Sequence, residues 1–272
     1  MAGERLSFGD AADRYDRARP SYPPDAVGWL VGSSPARVLE LGAGTGKLTE
    51  QVVALGHEVV ATDADDRMLR LLAARVPGAH TCSGTAERIP VASRSVDVVV
   101  AAQSFHWFDR ARALPEIARV LRPGGVLAMV WNVRDEGIPW VRRLGRLIGS
   151  QEQETDPVRL LADDRHFGWV EKATYRHWQD LDRAGLLDLV ASRSNVAAMG
   201  PEERERTLRE VGEMYDGYGR GHDGMRLPYV TRCYRTAVQR QDPEDEAQPD
   251  PDGEAAPPSE PEDPGTLLID FR

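Results

Sequence analysis

From Arg37 onward, short apolar runs alternate with amphipathic stretches, and each change of period is punctuated by glycine, proline or aspartate. Arg37-Val-Leu-Glu-Leu41 reads as a short buried strand, followed by a tight loop at Gly42-Ala-Gly-Thr-Gly46. Lys47 to Leu55 has helical spacing and is closed by Gly56, where helices commonly end. His57 to Asp63 predicts a second strand. Asp65 to Val76 predicts an amphipathic helix stopped by Pro77-Gly78, and Ala79 to Gly84 a weaker third strand. Val96-Asp-Val-Val-Val-Ala-Ala102 is almost continuously apolar, as a central parallel strand covered on both faces should be. Asp109 to Leu121 predicts a helix closed by Arg122-Pro-Gly-Gly125, with Val126 to Trp131 as a fifth strand. Pro115 lies inside that helix, removes one backbone donor and should kink it. Strands and helices in strict alternation specify an α/β fold built on a doubly wound, mostly parallel sheet.

The second half is less regular. Gly137 to Ile148 and Pro201 to Tyr215 predict helices, the second with proline in its first turn. Ala173 to Trp178 and Leu227 to Tyr234 predict two more strands. Residues 241–265 differ in kind, with ten acids, seven prolines and no base, aromatic or β-branched residue. Such a segment cannot bury enough apolar surface to offset its ordering entropy, so a disordered acidic tail is expected over 241–272. The chain therefore divides into an arm at 1–35, one domain at 36–240 and the tail. Within the domain, 36–133 forms the ligand half and 134–240 shapes the rest of the site.

The net charge of −10 belongs to the tail: without its ten acids, 34 acids face 34 bases. Only Lys47 and Lys172 are lysines. A neutral body with no basic stripe argues against a nucleic-acid partner. No apolar run approaches the roughly 18 residues of a membrane span, and the N-terminus lacks the charged and apolar regions of a signal peptide. Two cysteines, Cys82 and Cys233, are too few for a disulfide framework and read as buried small hydrophobes. These features predict a cytoplasmic protein. The six histidines show no metal-ligand spacing, so no metal is expected.

In an open α/β sheet, ligands bind at the carboxyl ends of the strands, where the strand order reverses. The first strand ends in Glu40-Leu-Gly-Ala-Gly-Thr-Gly46, whose glycines let the backbone approach a ligand closely. The second strand ends in Asp63, a carboxylate suited to ribose hydroxyls. A dinucleotide loop would need a third glycine where Lys47 stands. Glu40 would also sit badly beside a pyrophosphate, whereas it suits an ammonium group. Gly84-Thr-Ala-Glu-Arg-Ile-Pro90 could read an adenine edge. A ribose, an adenine and an ammonium together describe S-adenosylmethionine.

The motifs Val38-Leu-Glu-Leu-Gly-Ala-Gly-Thr-Gly46, Asp63, Gly84-Thr-Ala-Glu87, Phe105-His-Trp-Phe-Asp109 and Leu121-Arg-Pro-Gly-Gly125 resemble those of class I S-adenosylmethionine-dependent methyltransferases. The nearest likeness is to the small-molecule group containing the ubiquinone/menaquinone-type and trans-aconitate-type enzymes. It runs from Phe8 to Val133, and Tyr15-Asp-Arg-Ala-Arg-Pro-Ser-Tyr-Pro23 resembles the segment that precedes the sheet in that group. The resemblance implies a Rossmann-like fold of the class I methyltransferase type, with helical additions in the C-terminal half. It also implies roles for single residues. Glu40, Gly42, Gly44 and Gly46 would hold the methionine end and Asp63 the ribose. Ala64 and Met68 would flank the adenosine, Ala86 and Glu87 would contact the adenine, and Gln103 would lie near the methionine.

Methyl transfer from a sulfonium is an in-line displacement, so orientation and exclusion of water matter most. His106, just beyond the fourth strand, is the candidate general base; the other reading makes it part of a lid wall with Trp107 and Phe108. Tyr15, Arg19 and Tyr22 could close over the site as an N-terminal lid. The loop Gln103-Ser-Phe-His-Trp-Phe108 lacks the Asn/Asp-Pro-Pro-aromatic pattern of many N-methylating enzymes, which favours a small-molecule acceptor methylated at oxygen or carbon. Arg142, Arg143 and Arg146 read as a solvated helix face, and Trp131, Trp140, Trp169 and Trp178 as core and cap residues. Two other classes stay open: a non-catalytic S-adenosylmethionine sensor, and an NAD-dependent oxidoreductase on a similar fold. Oligomeric state is not readable.

Overall fold

The structure is a computed structural model that describes residues 19–149, 156–162, 164–218 and 224–239. Tyr15, residues 1–18 of the arm and the acidic tail lie outside the described residues. Of the described residues, 28–129, 156–162, 164–172 and 234–239 form one compact unit; 19–27, 130–149, 173–218 and 224–233 form the other.

The first unit holds β1 (Arg37–Leu41), α2 (Lys47–Ala54), β2 (Glu58–Asp63), α3 (Asp66–Arg75), β3 (His80–Ser83), β4 (Val96–Ala102) and α4 (Arg110–Val120). It also holds α6 (Pro157–Leu161). Helix α1 (Pro24–Val31), β5 (Leu121–Arg134), β6 (Phe167–Leu181) and β7 (Met225–Val238) run from one unit into the other. The sheet order is β3-β2-β1-β4-β5-β7-β6. β2 and β4 flank β1 in parallel, with Val38 beside both Val59 and Val98. β3 lies parallel outside β2. Along β6 and β7, His166 meets Gln239 and Gly168 meets Thr236; one strand retreats as the other advances, so this pair is antiparallel. The sheet is mostly parallel with an antiparallel pair, β7 and β6, at one edge, and its order turns back between β1 and β4.

Local chemistry sets the ends of these elements. Asp65, Asp109, Asp156 and Asp182 each accept a backbone N–H from the first turn of a helix, satisfying donors that the helix leaves unpaired. Helix α4 continues through Pro115 to Val120. Leu121-Arg-Pro-Gly-Gly125, expected as a closing turn, instead opens β5, with Gly124 at φ 80° where the chain bends.

The second unit contains α5 (Pro139–Ile148), α7 (Arg183–Ala191), α8 (Ser194–Ala197) and α9 (Pro201–Asp216). Its core gathers Val141, Leu144 and Ile148 from α5 with Leu186, Leu189 and Val190 from α7. Val211 and Met214 from α9 and Leu227 and Tyr229 from β7 complete it. Beside this apolar core lies a polar chain. Buried Asn132 donates to the Ser21 carbonyl at 3.0 Å and accepts from the Thr231 hydroxyl at 2.7 Å, and Thr231 lies 3.2 Å from His177 Nδ1.

Several expectations need correction here. Trp169 and Trp178 are not core residues: they are 85% and 55% exposed. They sit on β6, the outermost strand, where side chains have no further strand to pack against. Arg226 covers the Trp178 ring at 5.7 Å. Cys233 is buried, but Cys82, on the other edge strand β3, is only partly so. No helix of the described residues is long and apolar enough to cross a membrane.

Replacing Asn132 with alanine leaves buried groups short of a partner, at about 1–3 kcal/mol. Urea denaturation should show a loss of unfolding free energy of that size for Asn132→Ala; a wild-type unfolding free energy would contradict the polar chain.

Candidate functional site

Parallel strands present their carboxyl ends at one edge of the sheet, so β1 to β4 deliver four loops to a common place in the first unit. The glycine loop follows β1, Asp63 ends β2, residues 84–90 follow β3 and residues 103–108 follow β4.

Asp63 ties three of these loops together. Its carboxylate accepts the Gly44 N–H at 2.8 Å through Oδ2 and the Asp65 N–H at 2.9 Å through Oδ1. Its main-chain carbonyl accepts the Gly84 N–H at 3.2 Å. Each carboxylate oxygen has a second lone pair, so the acid can hold the loop and still accept from a ligand hydroxyl. The Ser104 hydroxyl donates to the Leu41 carbonyl at 2.7 Å and joins the β4 loop to the end of β1.

The three glycines serve different ends. All have positive φ, at 69°, 57° and 83° for Gly42, Gly44 and Gly46. A β-carbon on Gly42 would lie 2.8 Å from Ser104 Cβ, and one on Gly46 would lie 2.7 Å from Leu72 Cγ. Those two permit close packing of loop on loop and loop on helix. A β-carbon on Gly44 would meet nothing within 4 Å. Gly44 is thus the position where the loop backbone borders open space, as a ligand-binding glycine requires.

Glu40 lies beneath the loop with 1% of its surface exposed. The Thr49 hydroxyl donates to its Oε2 at 2.6 Å. Burial, and to a lesser degree the charge of Asp63, pushes its carboxyl up to about 8, against the pull of the Thr49 hydrogen bond. Without a nearby cation the group is mostly protonated at neutral pH; an ammonium close by would favour the charged form.

Around the rim, Ala64 is exposed and Met68 half-buried on α3. Ala86 is buried, and Glu87 Oε1 accepts the Asp109 N–H at 2.9 Å, linking the β3 loop to the start of α4. Burial works to raise the Glu87 carboxyl. The hydrogen bonds it accepts, led by that of Asp109, together with Arg112 outweigh burial and hold it below its usual range. Gln103 adopts φ 59°, a region that a non-glycine residue seldom enters. His106 sits in a single 3₁₀ turn, Phe105–Trp107. Phe105 anchors that turn in the core, and Trp107 is 70% exposed. The His106 ring is 4.8 Å from that of Trp107, and burial holds its imidazole below the ordinary histidine range.

The first unit therefore brings together Glu40, Gly42, Gly44, Gly46, Asp63, Ala64, Met68, Ala86, Glu87, Gln103, His106 and Trp107. Arg19 and Tyr22 belong to the second unit. There the Arg19 guanidinium donates to the Ser192 carbonyl at 3.2 Å, and Tyr22 is buried. Thr49 and Ser104 escape sequence reasoning because hydroxyl residues in a helix and a loop carry no signal of the partner they will meet.

A family model described as "Methyltransferase domain" matches residues 39–129. The chain is 46% identical over 236 residues to a Mycobacterium tuberculosis protein named as an uncharacterized methyltransferase, covering 86% of this chain and 96% of the relative. It is 40% identical over 134 residues to the malonyl-[acyl-carrier protein] O-methyltransferase of Methylococcus capsulatus, covering 45% of this chain and 49% of that one. A solved structure from Anaeromyxobacter dehalogenans, assigned as a type II methyltransferase, superposes with a TM-score of 0.60 at 25% identity. That match covers 82% of this chain and 97% of the other.

Two predictions follow from the loop. Gly44→Ala should fold with a stability loss of roughly 1–2 kcal/mol, from left-handed strain alone. Gly42→Ala adds a collision with Ser104 and should lose more; equal melting temperatures would contradict the geometry. Glu40 binds its proton more tightly folded than unfolded, so its contribution to stability falls as pH rises from about 4.5 to about 8. Relative to Glu40→Gln, wild type should lose up to about 1.4 kcal/mol per pH unit across that window. Parallel denaturation curves at pH 5 and pH 8 would refute the buried-proton assignment.

Proposed function

Because this chain belongs to the class I S-adenosylmethionine-dependent methyltransferases, we propose that the four loops at the switch point hold S-adenosylmethionine and that the enzyme methylates a small molecule at oxygen or carbon. The observation that carries the reading is the open space over Gly44, whose N–H is held by Asp63, in a loop that covers the buried acid Glu40. Those residues fit the cofactor chemically. Gly44 admits its methionine portion to the backbone while Gly42 lets the loop pack closely beneath it, and Glu40 is an acid that a cation would ionise. Asp63 keeps acceptor capacity for ribose hydroxyls, and Ala64, Met68, Ala86, Glu87 and Gln103 border the adenosine and methyl ends.

Bound there, S-adenosylmethionine supplies a methyl group already activated by its sulfonium charge. The chain's own residues then orient the acceptor, exclude water and remove a proton where the acceptor arrives protonated. His106 is the residue we assign to the proton. Burial keeps its imidazole neutral near pH 7 and therefore able to accept one. Acceptor class is supported by the loop Gln103-Ser-Phe-His-Trp-Phe108, which lacks the Asn/Asp-Pro-Pro-aromatic pattern. Similarity to an O-methyltransferase over 134 residues points the same way.

Asp63→Ala should weaken S-adenosylmethionine binding at least tenfold while the chain remains folded by circular dichroism; unchanged affinity would sink the ribose assignment. His106→Ala should lower turnover about 10²-fold or more with cofactor affinity nearly intact. The acid limb of the wild-type pH–rate profile should fall below pH 6.5, the ordinary histidine value from which burial depresses this group. Matched losses in cofactor and acceptor binding, with turnover preserved, would make His106 a wall of the site instead.

A further inference from the structure

Arginines expected on the solvated face of α5 are indeed outside: Arg142, Arg143 and Arg146 are exposed. The second unit instead gathers three others inward. Arg134, at the end of β5, has 1% of its side chain exposed. It donates to the Gly149 carbonyl at 3.1 Å and to Glu136 Oε1 at 3.3 Å. It thus satisfies the C-terminal end of α5, where a cation is favoured. Asn195 donates to the neighbouring Ile148 carbonyl, which brings the turn between α7 and α8 against the same helix end. Arg19 donates to the Ser192 carbonyl in that turn at 3.2 Å. The next residue along is Arg193.

Arg134 and Arg19 have identified structural duties. Arg193 has a buried Nε with no hydrogen-bond partner. A guanidinium N–H removed from water and left without an acceptor costs free energy that the fold does not recover elsewhere. The charges bearing on Arg193 do not compensate: Arg134 and Arg19 repel it, while Glu136 attracts it. Burial first, and Arg134 second, push the Arg193 guanidinium down to about 10. Tyr229, stacked on His177 at 5.3 Å, is within electrostatic range of all three arginines.

We propose that Arg193, with Arg134 and Arg19 beside it, forms a binding site for a compact oxyanion, a carboxylate or phosphate group carried by a small molecule. The exposed control arginines are not arranged this way. A planar oxyanion takes two parallel hydrogen bonds from one edge of a guanidinium, and the Nε–H is half of that edge. An anion would satisfy the orphaned donor and offset the repulsion between the arginines in one step. The site needs no cofactor and is independent of the methyl-donor assignment.

The test is calorimetric titration of the full chain with sodium succinate and with inorganic phosphate, against sodium chloride at equal ionic strength. Saturable binding of either probe is expected. Succinate alone identifies a carboxylate site, phosphate alone a phosphate site, and both a site for the shared oxyanion chemistry. Arg193→Gln should weaken binding at least tenfold, and Arg193→Lys, which keeps the charge but loses the fork, should also weaken it. Arg143→Gln should leave it unchanged. Nitrogen-15 spectra of the wild-type arginine Nε–H groups, with Arg193 identified by its loss in Arg193→Lys, should show that signal moving on titration. Binding no better than chloride overturns the proposal. So does a folded Arg193→Gln that binds like wild type, or an Arg193 signal that stays fixed while the probe saturates. S-adenosylmethionine titrated into the same samples reports separately on the donor site, so failure of one assignment is not mistaken for failure of the other.

Discussion

The geometry of the loops at the carboxyl ends of β1, β2 and β3 depends on one carboxylate. Asp63 holds Gly44 on one side and Asp65 on the other, while its carbonyl holds Gly84. The ends of β1, β2 and β3 are thereby fixed to each other by hydrogen bonds that a single residue accepts. Backbone amides that would otherwise need water are satisfied, and the loop can keep three glycines in left-handed conformations without collapsing. A carboxylate suits the task because it accepts from several donors and has acceptor capacity left for a ligand. Under the proposed function, structural hub and ligand contact are the same group.

Glu40 adds a second constraint. A buried acid beneath a ligand loop is costly when charged, and its raised ionisation keeps it neutral until a cation arrives. Such a group suits the positively charged ligand end that the proposed function requires, and two acids so close together would be poorly arranged for a pyrophosphate. Lys47, standing where a dinucleotide loop has its third glycine, points the same way.

The cofactor half was the legible part of the sequence. Its strands are nearly continuous apolar runs, its helices amphipathic, and its loops carry residues whose backbone needs are specific. Less could be read elsewhere, for physical reasons. In α1, Ala26, Val27, Leu30 and Val31 are buried around Gly28, a pattern without a polar face. In α7, Leu186, Leu189 and Val190 are buried within an equally apolar stretch. β6 extends to Phe167–Leu181, well beyond the stretch expected at 173–178, because an edge strand with exposed tryptophan, lysine and arginine does not alternate cleanly. Partnerships formed by folding left no trace at all. Thr49 under Glu40, Ser104 on Leu41 and Arg19 on Ser192 join residues up to 173 positions apart.

The central claim is that the switch-point loops are built for an adenosyl sulfonium ligand. Calorimetric titration of wild-type protein with S-adenosylmethionine, S-adenosylhomocysteine and NAD, side by side, tests it most directly. The account predicts saturable one-to-one binding of both adenosyl ligands and no heat from NAD. Binding of NAD with no response to either adenosyl ligand would contradict it.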